Sequence, residues 1–419
     1  MDDKPPPNTS TEAATHTSNA APDSTDSSID SITAKPSAPN STRLNLNRKD
    51  SSPLQQATSS IKVTHEIRRS IYTFLLHKLL RPFGTKVAKP KKIMPEGSQK
   101  LDIPKKAHKH CTVQERQVEG IWVYDIKSKE SATRNNVTNT PPHQRRKYSR
   151  GRSPSPRDEK PPQGNNSDNP GPGPPNHKRI YWYAGGGWQM PPSGEHWSFL
   201  LNLSRRLPNT TITLISYPLA PRSPAPSCFP QLYTNYTTLL TQSLAANEHI
   251  TLAGDSSGGN IALCLPLHAL RTAGTHSALL PHTLFVIAPS TDLRRCNSEI
   301  TNLEPHDPIL RPWFITSTAD AWRGTWEAWD PRVSPLNSDL TALASRGVRV
   351  HGVTGGYDIL SPDAVLFREK CALADVQGQW LQWEKQMHCF PLTAAFGFPE
   401  AKGGFEWCVR VLGEGGEKD

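Results

Sequence analysis

The 419-residue sequence lacks any apolar run long enough to cross a bilayer. A membrane-spanning helix needs about 20 mostly apolar residues, so none is expected. Residues 1–5 begin no apolar segment of the secretory-signal type, and we therefore expect an intracellular protein, either cytoplasmic or peripherally membrane-associated. Apolar residues are also few, at 35%, whereas prolines number 40. A sizeable part of the chain is therefore not folded core.

Cysteine is scarce as well, and its pattern excludes two classes of small stabilised domain. The seven cysteines are odd in number and widely dispersed, and no two form a Cys-x-x-Cys pair. Neither a structural zinc site nor a dense disulfide framework is indicated by this spacing. We expect reduced thiols and no metal site.

Acidic residues are outnumbered by basic ones, 38 against 48, which gives a formal net charge of +10. Much of the excess lies in residues 86–109 and 145–157. The second run could contact phosphates, but Tyr148 is its one aromatic residue for base stacking. We interpret the run as a solvated loop and do not expect a nucleic-acid partner.

Composition divides the chain into a tail and one domain. Residues 1–60 are rich in Ser, Thr, Asn and Pro and have few large apolar side chains, which predicts disorder. Residues 61–419 are predicted to form the folded domain. Within it, residues 128–177 read as a low-complexity insertion, because strand-like segments lie on both sides, at 120–126 and 179–183.

A helix is predicted over residues 66–83, where large apolar residues recur at helical spacing between basic ones. Two interpretations fit this pattern. The favoured one is a cap helix, within about 61–84, whose apolar stripe packs on its own domain. The other is peripheral contact with a membrane surface. The apolar stripe consists of Ile67, Ile71, Phe74, Leu75 and Leu79.

The strongest motif lies at residues 254–258, which read Gly-Asp-Ser-Ser-Gly. An apolar strand-like stretch, 250–253, precedes it, and a helix-like stretch, 260–270, follows it. Strand, Gly-x-Ser-x-Gly turn and helix in this order are the sequence form of a nucleophile elbow. Ser256 is therefore the candidate nucleophile. Side chains at positions 254 and 258 would collide with the neighbouring strand and helix.

A serine nucleophile needs a base, and the base needs an acid to orient it. Asp358 follows the apolar run 348–353 and two glycines, at the predicted end of a strand. His388 follows a second strand-like segment, 380–383. Alone, Asp358 could be a turn residue and His388 a half-buried loop histidine. The order Ser, Asp, His after an elbow favours a catalytic triad.

Glycine-rich backbone can supply the amide donors of an oxyanion hole. The strand-like run 181–183 is followed by Ala184 and three glycines. The last of these, Gly187, lies 69 residues before Ser256. A flexible connector would have the same composition, but a phosphate-binding loop would need a Gly-Lys-Ser/Thr ending that is absent here. The predicted amide donors are those of Gly185, Gly186, Gly187 and Ser257.

Together these motifs resemble the hormone-sensitive-lipase branch of the α/β-hydrolase fold, also called the α/β-hydrolase fold-3 family, and within it the fungal steryl acetyl hydrolases. The resemblance covers about residues 121–412 apart from the insertion. It implies a mostly parallel sheet with helices on both faces and a helical cap. The segments that match family motifs are 184–187, 217–221, 254–259, 334–336, 358–363 and 387–391.

The resemblance implies an esterase or lipase that needs no cofactor and acts on a small apolar ester through Ser256, His388 and Asp358. One departure is Ala184, where the family has a His that helps to shape the glycine loop. A second reading is a binding protein on the same scaffold; Ala184 favours it mildly, and the retention of His388 argues against it. A chymotrypsin-like protease is disfavoured, because that fold needs its His and Asp before the Ser.

The segment before Asp358 is rich in aromatic residues. In the family, this segment contributes to the cap that sets specificity. Trp322, Trp326 and Trp329 share one face if the segment is helical. They are predicted either to pack as ordinary core or to line an acyl pocket.

Overall fold

The computed structural model describes residues 59–84, 86, 89–129 and 177–414. The basic run 145–157 lies outside these residues, as do the predicted disordered tail apart from residues 59 and 60 and the insertion apart from its ends. Over the described residues, the apolar segments form one nine-stranded sheet. Its strands are β1 (Ile61–Glu66), β2 (Cys111–Val118), β3 (Ile121–Ser128), β4 (His177–Tyr183), β5 (Thr210–Ser216), β6 (Glu248–Asp255), β7 (Thr283–Ile287), β8 (Arg349–Gly355) and β9 (Gly378–Trp383).

The sheet is mostly parallel, with the strand order β1-β9-β8-β7-β6-β4-β5-β3-β2. Only β3 pairs antiparallel, with β2 on one side and β5 on the other. The central strands β4 to β8 are almost continuously buried, as expected for a sheet covered on both faces. The strand predictions on both sides of the insertion are confirmed, and the two strands, β3 and β4, are separated in the sheet by β5.

Ten helices are described. They are α1 (Ile71–Leu80), α2 (Ala107–His110), α3 (Gly194–Arg206), α4 (Ala225–Ala245), α5 (Ser256–Ser277), α6 (Glu299–Leu303), α7 (Pro312–Arg323), α8 (Thr341–Ser345), α9 (Ser361–Leu373) and α10 (Pro399–Glu414). Two 3₁₀ helices, Pro335–Asn337 and Phe390–Phe396, are also described.

The helices cover both faces of the sheet, because successive strand residues point to opposite sides. Tyr181 and Leu252 belong to a core with residues of α4, α5 and α9. Their neighbours Trp182 and Ala253 belong to a second core with α3 and α10. The predicted α/β-hydrolase architecture is confirmed. A third, smaller cluster joins Phe314 of α7 to residues of α6 and to the loop that follows Asp358.

The predicted cap helix needs correction in both extent and packing. Its first six residues, Ile61–Glu66, form β1, which pairs parallel with β9 at the edge of the sheet. The helix α1 begins only at Ile71, after the N-cap Ser70. Its buried side chains are Thr73 and His77 rather than the apolar stripe. Leu76 and Leu80 pack partly against the second core.

Candidate active site

Ser256 lies at the junction of β6 and α5, with a backbone φ of 52°. A positive φ is uncommon for a residue with a side chain and marks local strain. Close packing around the turn explains the two glycines. A Cβ atom on Gly258 would lie 2.0 Å from the carbonyl oxygen of Tyr183, and one on Gly254 would lie 2.6 Å from that of Gly258. The predicted strand, turn and helix of the elbow are therefore present.

The three residues of the predicted triad lie in contact. The Nε2 atom of His388 is 2.9 Å from Oγ of Ser256, and its Nδ1 atom is 2.8 Å from Oδ2 of Asp358. Asp358 is fully buried, and its other carboxylate oxygen accepts a hydrogen bond from the amide of Leu360. Both residues follow the carboxyl ends of strands, β8 for Asp358 and β9 for His388. Neighbouring parallel strands thus deliver both side chains to one edge of the sheet.

The electrostatic environment favours a charged imidazole. Burial alone lowers the pKa of His388, but the adjacent Asp358 carboxylate, together with Cys389, outweighs that effect, and the net pKa is raised well above 6.5. A carboxylate that stabilises the imidazolium is what a base requires when it takes the proton of a serine hydroxyl.

The glycine loop lies against the elbow and is held by two hydrogen bonds. The amide of Gly185 donates to Oδ2 of Asp255 at 3.1 Å. The hydroxyl of Tyr217 donates to the carbonyl of Ala184 at 2.8 Å. The Gly185 N–H is therefore already used, and this corrects its assignment as an oxyanion donor. Gly186 and Gly187 line the cavity beside Ser256.

His196 is a residue that the sequence reasoning missed. Its Nδ1 accepts from the amide of Ser193, 3.0 Å away, and its Nε2 lies 3.0 Å from the Asp255 oxygen that also binds Gly185. The indole of Trp182 donates to the other oxygen of Asp255 at 3.1 Å. The glycine loop is thus anchored through Asp255 although position 184 carries no histidine. A Ser three residues before a His, at the start of a helix, was the available local signal.

Asp307 is a second residue that the sequence reasoning missed. One carboxylate oxygen accepts from the amides of Ile309 and Leu310, each at 2.8 Å, and the other accepts from the amide of Ile359 at 3.0 Å. Burial raises its pKa to about 7, and nearby Asp358 adds to that shift. Asp307 therefore ties the cavity wall to the loop that carries Asp358.

A cavity of about 250 Å³ opens at Ser256. Its walls are mainly apolar and include residues of α7. Among the residues described, no group of three or more His, Cys, Asp or Glu is arranged to hold a metal ion. The apolar lining residues are Trp188, Met190, Ile309, Leu310, Phe314, Ile315, Leu360, Met387 and Leu392.

The three tryptophans singled out before Asp358, Trp322, Trp326 and Trp329, do not line this cavity. Trp322 is buried and stacks on Trp188, with ring centroids 5.9 Å apart. Trp326 packs on Phe229, and Trp329 is exposed. Helix α7 ends at Arg323, so the three do not share one helical face. The core interpretation is correct for Trp322 and Trp326.

A family model described as the alpha/beta hydrolase fold matches residues 180–392, half of the chain. An esterase of Acinetobacter venetianus is 31% identical over 229 residues, which cover 53% of this chain and 70% of that protein. LipR of Mycobacterium tuberculosis, a putative acetyl-hydrolase, is 28% identical over 46% of this chain and 59% of its own length. Human hormone-sensitive lipase is 27% identical over 40% of this chain, but the match spans only 15% of that enzyme.

Solved structures agree on the fold. An esterase from the bacterial hormone-sensitive lipase family superposes with a TM-score of 0.60 and 19% identity, covering 84% of this chain and 100% of that one. An esterase/lipase from an uncultured bacterium gives a TM-score of 0.58 at 19% identity, covering 83% of this chain and 99% of that one.

Proposed function

The chain belongs to the α/β-hydrolase fold-3 family of carboxylic ester hydrolases, and on that premise we propose that it cleaves esters through Ser256, His388 and Asp358. The observation that carries the proposal is the bridging position of His388, 2.9 Å from the Ser256 hydroxyl and 2.8 Å from the Asp358 carboxylate. This is the geometry of a base between a nucleophile and its orienting acid.

The proposed reaction has two acyl-transfer steps. His388 removes the proton of Ser256 as the hydroxyl oxygen attacks the ester carbonyl, and the same proton then leaves with the alcohol. Water, deprotonated by His388, attacks the acyl-enzyme and releases the acid. The amides of Gly186, Gly187 and Ser257 are the proposed donors to the oxyanion, because these three residues line the cavity next to Ser256.

The proposed substrate class is a small ester with an apolar body. Support comes from the size of the cavity, about 250 Å³, and from its mainly apolar walls. A short or medium acyl chain suits such a volume, and its transfer from water into the cavity contributes favourably to binding.

The test is hydrolysis of 4-nitrophenyl esters of increasing acyl length by the wild type, Ser256→Ala and Ser277→Ala. Ser277 is an exposed serine at the far end of α5, beyond the break in the helix at Gly274, and serves as the matched control. We expect at least a 10³-fold loss in kcat/KM for Ser256→Ala and wild-type activity for Ser277→Ala. Full activity of Ser256→Ala would exclude this nucleophile. Binding of esters by a wild type that hydrolyses none of them would support the binding-protein alternative.

We also propose that the α1 region contacts a membrane surface. The described helices include none that is long and apolar enough to cross a bilayer. Of the five side chains expected to pack inward, all but the half-buried Phe74 instead face outward. Six large apolar residues, each between 52% and 72% exposed, form this surface: Ile67, Ile71, Tyr72, Leu75, Leu79 and Phe83.

The charge of the residues around this apolar surface indicates which partner it binds. Residues 67–95 contain eight Lys or Arg and no Asp or Glu. An exposed apolar helix face with basic flanks suits the interface of an anionic membrane. The surface is also close to the cavity, since Arg311 donates to the carbonyl of Arg81 and Ile309 contacts Gly84 as well as lining the cavity. An apolar ester could therefore enter from the lipid.

Sedimentation with vesicles tests this contact. We expect the wild type to bind vesicles of phosphatidylcholine with about 30% phosphatidylserine, and to bind them less as the salt concentration is raised. Leu75→Ser with Leu79→Ser should reduce binding at least about fivefold, because each removes exposed apolar area. Leu373→Ser, at a site that is 88% exposed on α9, is the control. Equal binding by both variants would refute the assignment.

A further inference from the structure

Arg295 is a cation in the wall of the cavity whose hydrogen-bonding capacity is only partly used. Its Nη2 donates to Oγ of Ser290 at 2.8 Å, and its Nη1 donates to the carbonyl of Asp292 at 2.7 Å. Its Nε is buried and has no hydrogen-bond partner. Among the described residues that line the cavity, it is the sole Lys or Arg.

The position of this guanidinium is tied closely to Ser256. The amide of Ser290 donates to the carbonyl of Ser256 at 3.2 Å, and the hydroxyl of Ser290 accepts from Arg295. The guanidinium is thus linked to the proposed nucleophile through one intervening residue. The backbone of Arg295 has a φ of 53°, the left-handed region that a side-chain-bearing residue adopts only when its surroundings require it.

Neighbouring carboxylates do not neutralise Arg295 in a direct ion pair. Asp292 instead forms a bidentate pair with Arg294. Asp363 accepts from Asn297 through one oxygen, and its other oxygen is buried without a partner. Burial lowers the pKa of Arg295 to about 10, although Asp363 and Asp292 partly offset that effect. An arginine still remains charged at neutral pH under these conditions.

We infer that Arg295 is a specificity-determining residue that binds an anionic group, a carboxylate in particular, at one end of an ester whose remaining body is apolar. A guanidinium presents its N–H donors in a fork that matches a carboxylate, and an incompletely used fork beside the reacting serine has the chemistry to bind one. The inference rests on the proposed ester hydrolysis and refines its substrate class to monoesters that carry a second, acidic group.

Two pairs of substrates test the inference on the two sides of the ester. Mono-4-nitrophenyl succinate and 4-nitrophenyl butyrate differ in a carboxylate against a methyl group on the acyl side. 4-Carboxyphenyl butyrate and phenyl butyrate differ in a carboxylate against a hydrogen atom on the alcohol side. The measured quantity is the ratio of kcat/KM for the acidic ester to that for its neutral partner.

We expect Arg295→Met to lower this ratio about 10- to 100-fold for one of the two pairs, the usual effect of removing a charged hydrogen-bond partner. Arg295→Lys keeps the charge and should lower the ratio less. Arg294→Met, which removes the adjacent guanidinium paired with Asp292, is the matched control and should leave both ratios unchanged.

Two outcomes would overturn the inference. An unchanged ratio in Arg295→Met for both pairs would show that the guanidinium does not bind the carboxylate of the substrate. An equal loss on acidic and neutral esters, together with a lower melting temperature, would show that Arg295 serves only as a counter-ion for the surrounding carboxylates. In both outcomes the wild type still hydrolyses neutral esters in a Ser256-dependent reaction, so they are distinct from a failure of the proposed function.

Discussion

The Nε2 atom of His196 lies 3.0 Å from Oδ2 of Asp255, the residue immediately before Ser256. The same oxygen accepts the amide of Gly185, so a side chain on α3 and the start of the glycine loop share one acceptor. The contact thereby couples the position of the loop to the elbow. It also provides a physical reason why a loop that begins with Ala184 holds its shape.

We predict that His196→Ala loosens the glycine loop and lowers kcat about 10- to 100-fold with little change in KM. Removal of an oxyanion donor costs about 10² to 10³ in rate, and a displaced loop should cost somewhat less. His196→Gln retains a side-chain donor toward Asp255 and should recover part of the rate. Steady-state kinetics on 4-nitrophenyl butyrate measure both. The exposed His276, substituted by Ala, is the control. A change in KM with no change in kcat for His196→Ala would contradict a role in positioning the loop.

The pH dependence should reflect the raised pKa of His388. The Asp358 carboxylate stabilises the imidazolium, so His388 becomes the neutral base only at a pH above the ordinary histidine pKa of about 6.5. We expect kcat/KM to rise with pH through an inflection above that value. In Asp358→Asn, the inflection should move down and the plateau should fall by about 10³ to 10⁴, as for a triad that loses its acid. An inflection that does not move would show that Asp358 does not raise the pKa of His388.

Asp307→Ala should destabilise the fold by about 2 to 4 kcal/mol. The substitution leaves the buried amides of Ile309, Leu310 and Ile359 without their acceptor. Urea denaturation measures the loss. Asp307→Asn keeps an acceptor oxygen and should lose less. Asp339→Ala, which removes an exposed carboxylate that also accepts a backbone amide, is the control and should cost no more than about 1 kcal/mol. Equal stability of Asp307→Ala and Asp339→Ala would contradict this account.

Gly258→Ala should prevent formation of the elbow. Its Cβ would lie 2.0 Å from a backbone oxygen of β4, and neither strand nor helix can move without losing core contacts. We expect a loss of more than about 4 kcal/mol or a failure to fold, measured by thermal unfolding and soluble yield. Gly194→Ala is the control, since a Cβ there meets no atom within 4 Å. A stable, active Gly258→Ala would show that the turn can relax.

The elbow and the order of the three candidate residues were predictable because they depend on local patterns. A buried strand, a tight turn with small residues and a helix occupy adjacent stretches of chain, and the ends of parallel strands meet at one edge of the sheet. The positions of Ser256, Asp358 and His388 after β6, β8 and β9 follow from that rule.

The helix at α1 shows where a periodic pattern is insufficient. An apolar stripe predicts a packed face, yet the chain orients α1 so that Thr73 and His77 are buried and Leu75 and Leu79 are exposed. Glu400, on α10, accepts hydrogen bonds from the hydroxyls of Ser70 and Thr73 and so contributes to this orientation. A contact between residues more than 300 positions apart leaves no local signal in the sequence.

The sequence by itself determined the hydrolase architecture, the elbow and the identities of the three residues proposed for catalysis, since each depends on short-range periodicity, turn chemistry or chain order. Only the tertiary structure decided that Asp255 and His196 hold the glycine loop, that Asp307 supports the Asp358 loop and that Arg295 lines the cavity. These side chains come from separate loops and helices, and their roles depend on distances that exist only after the sheet has assembled.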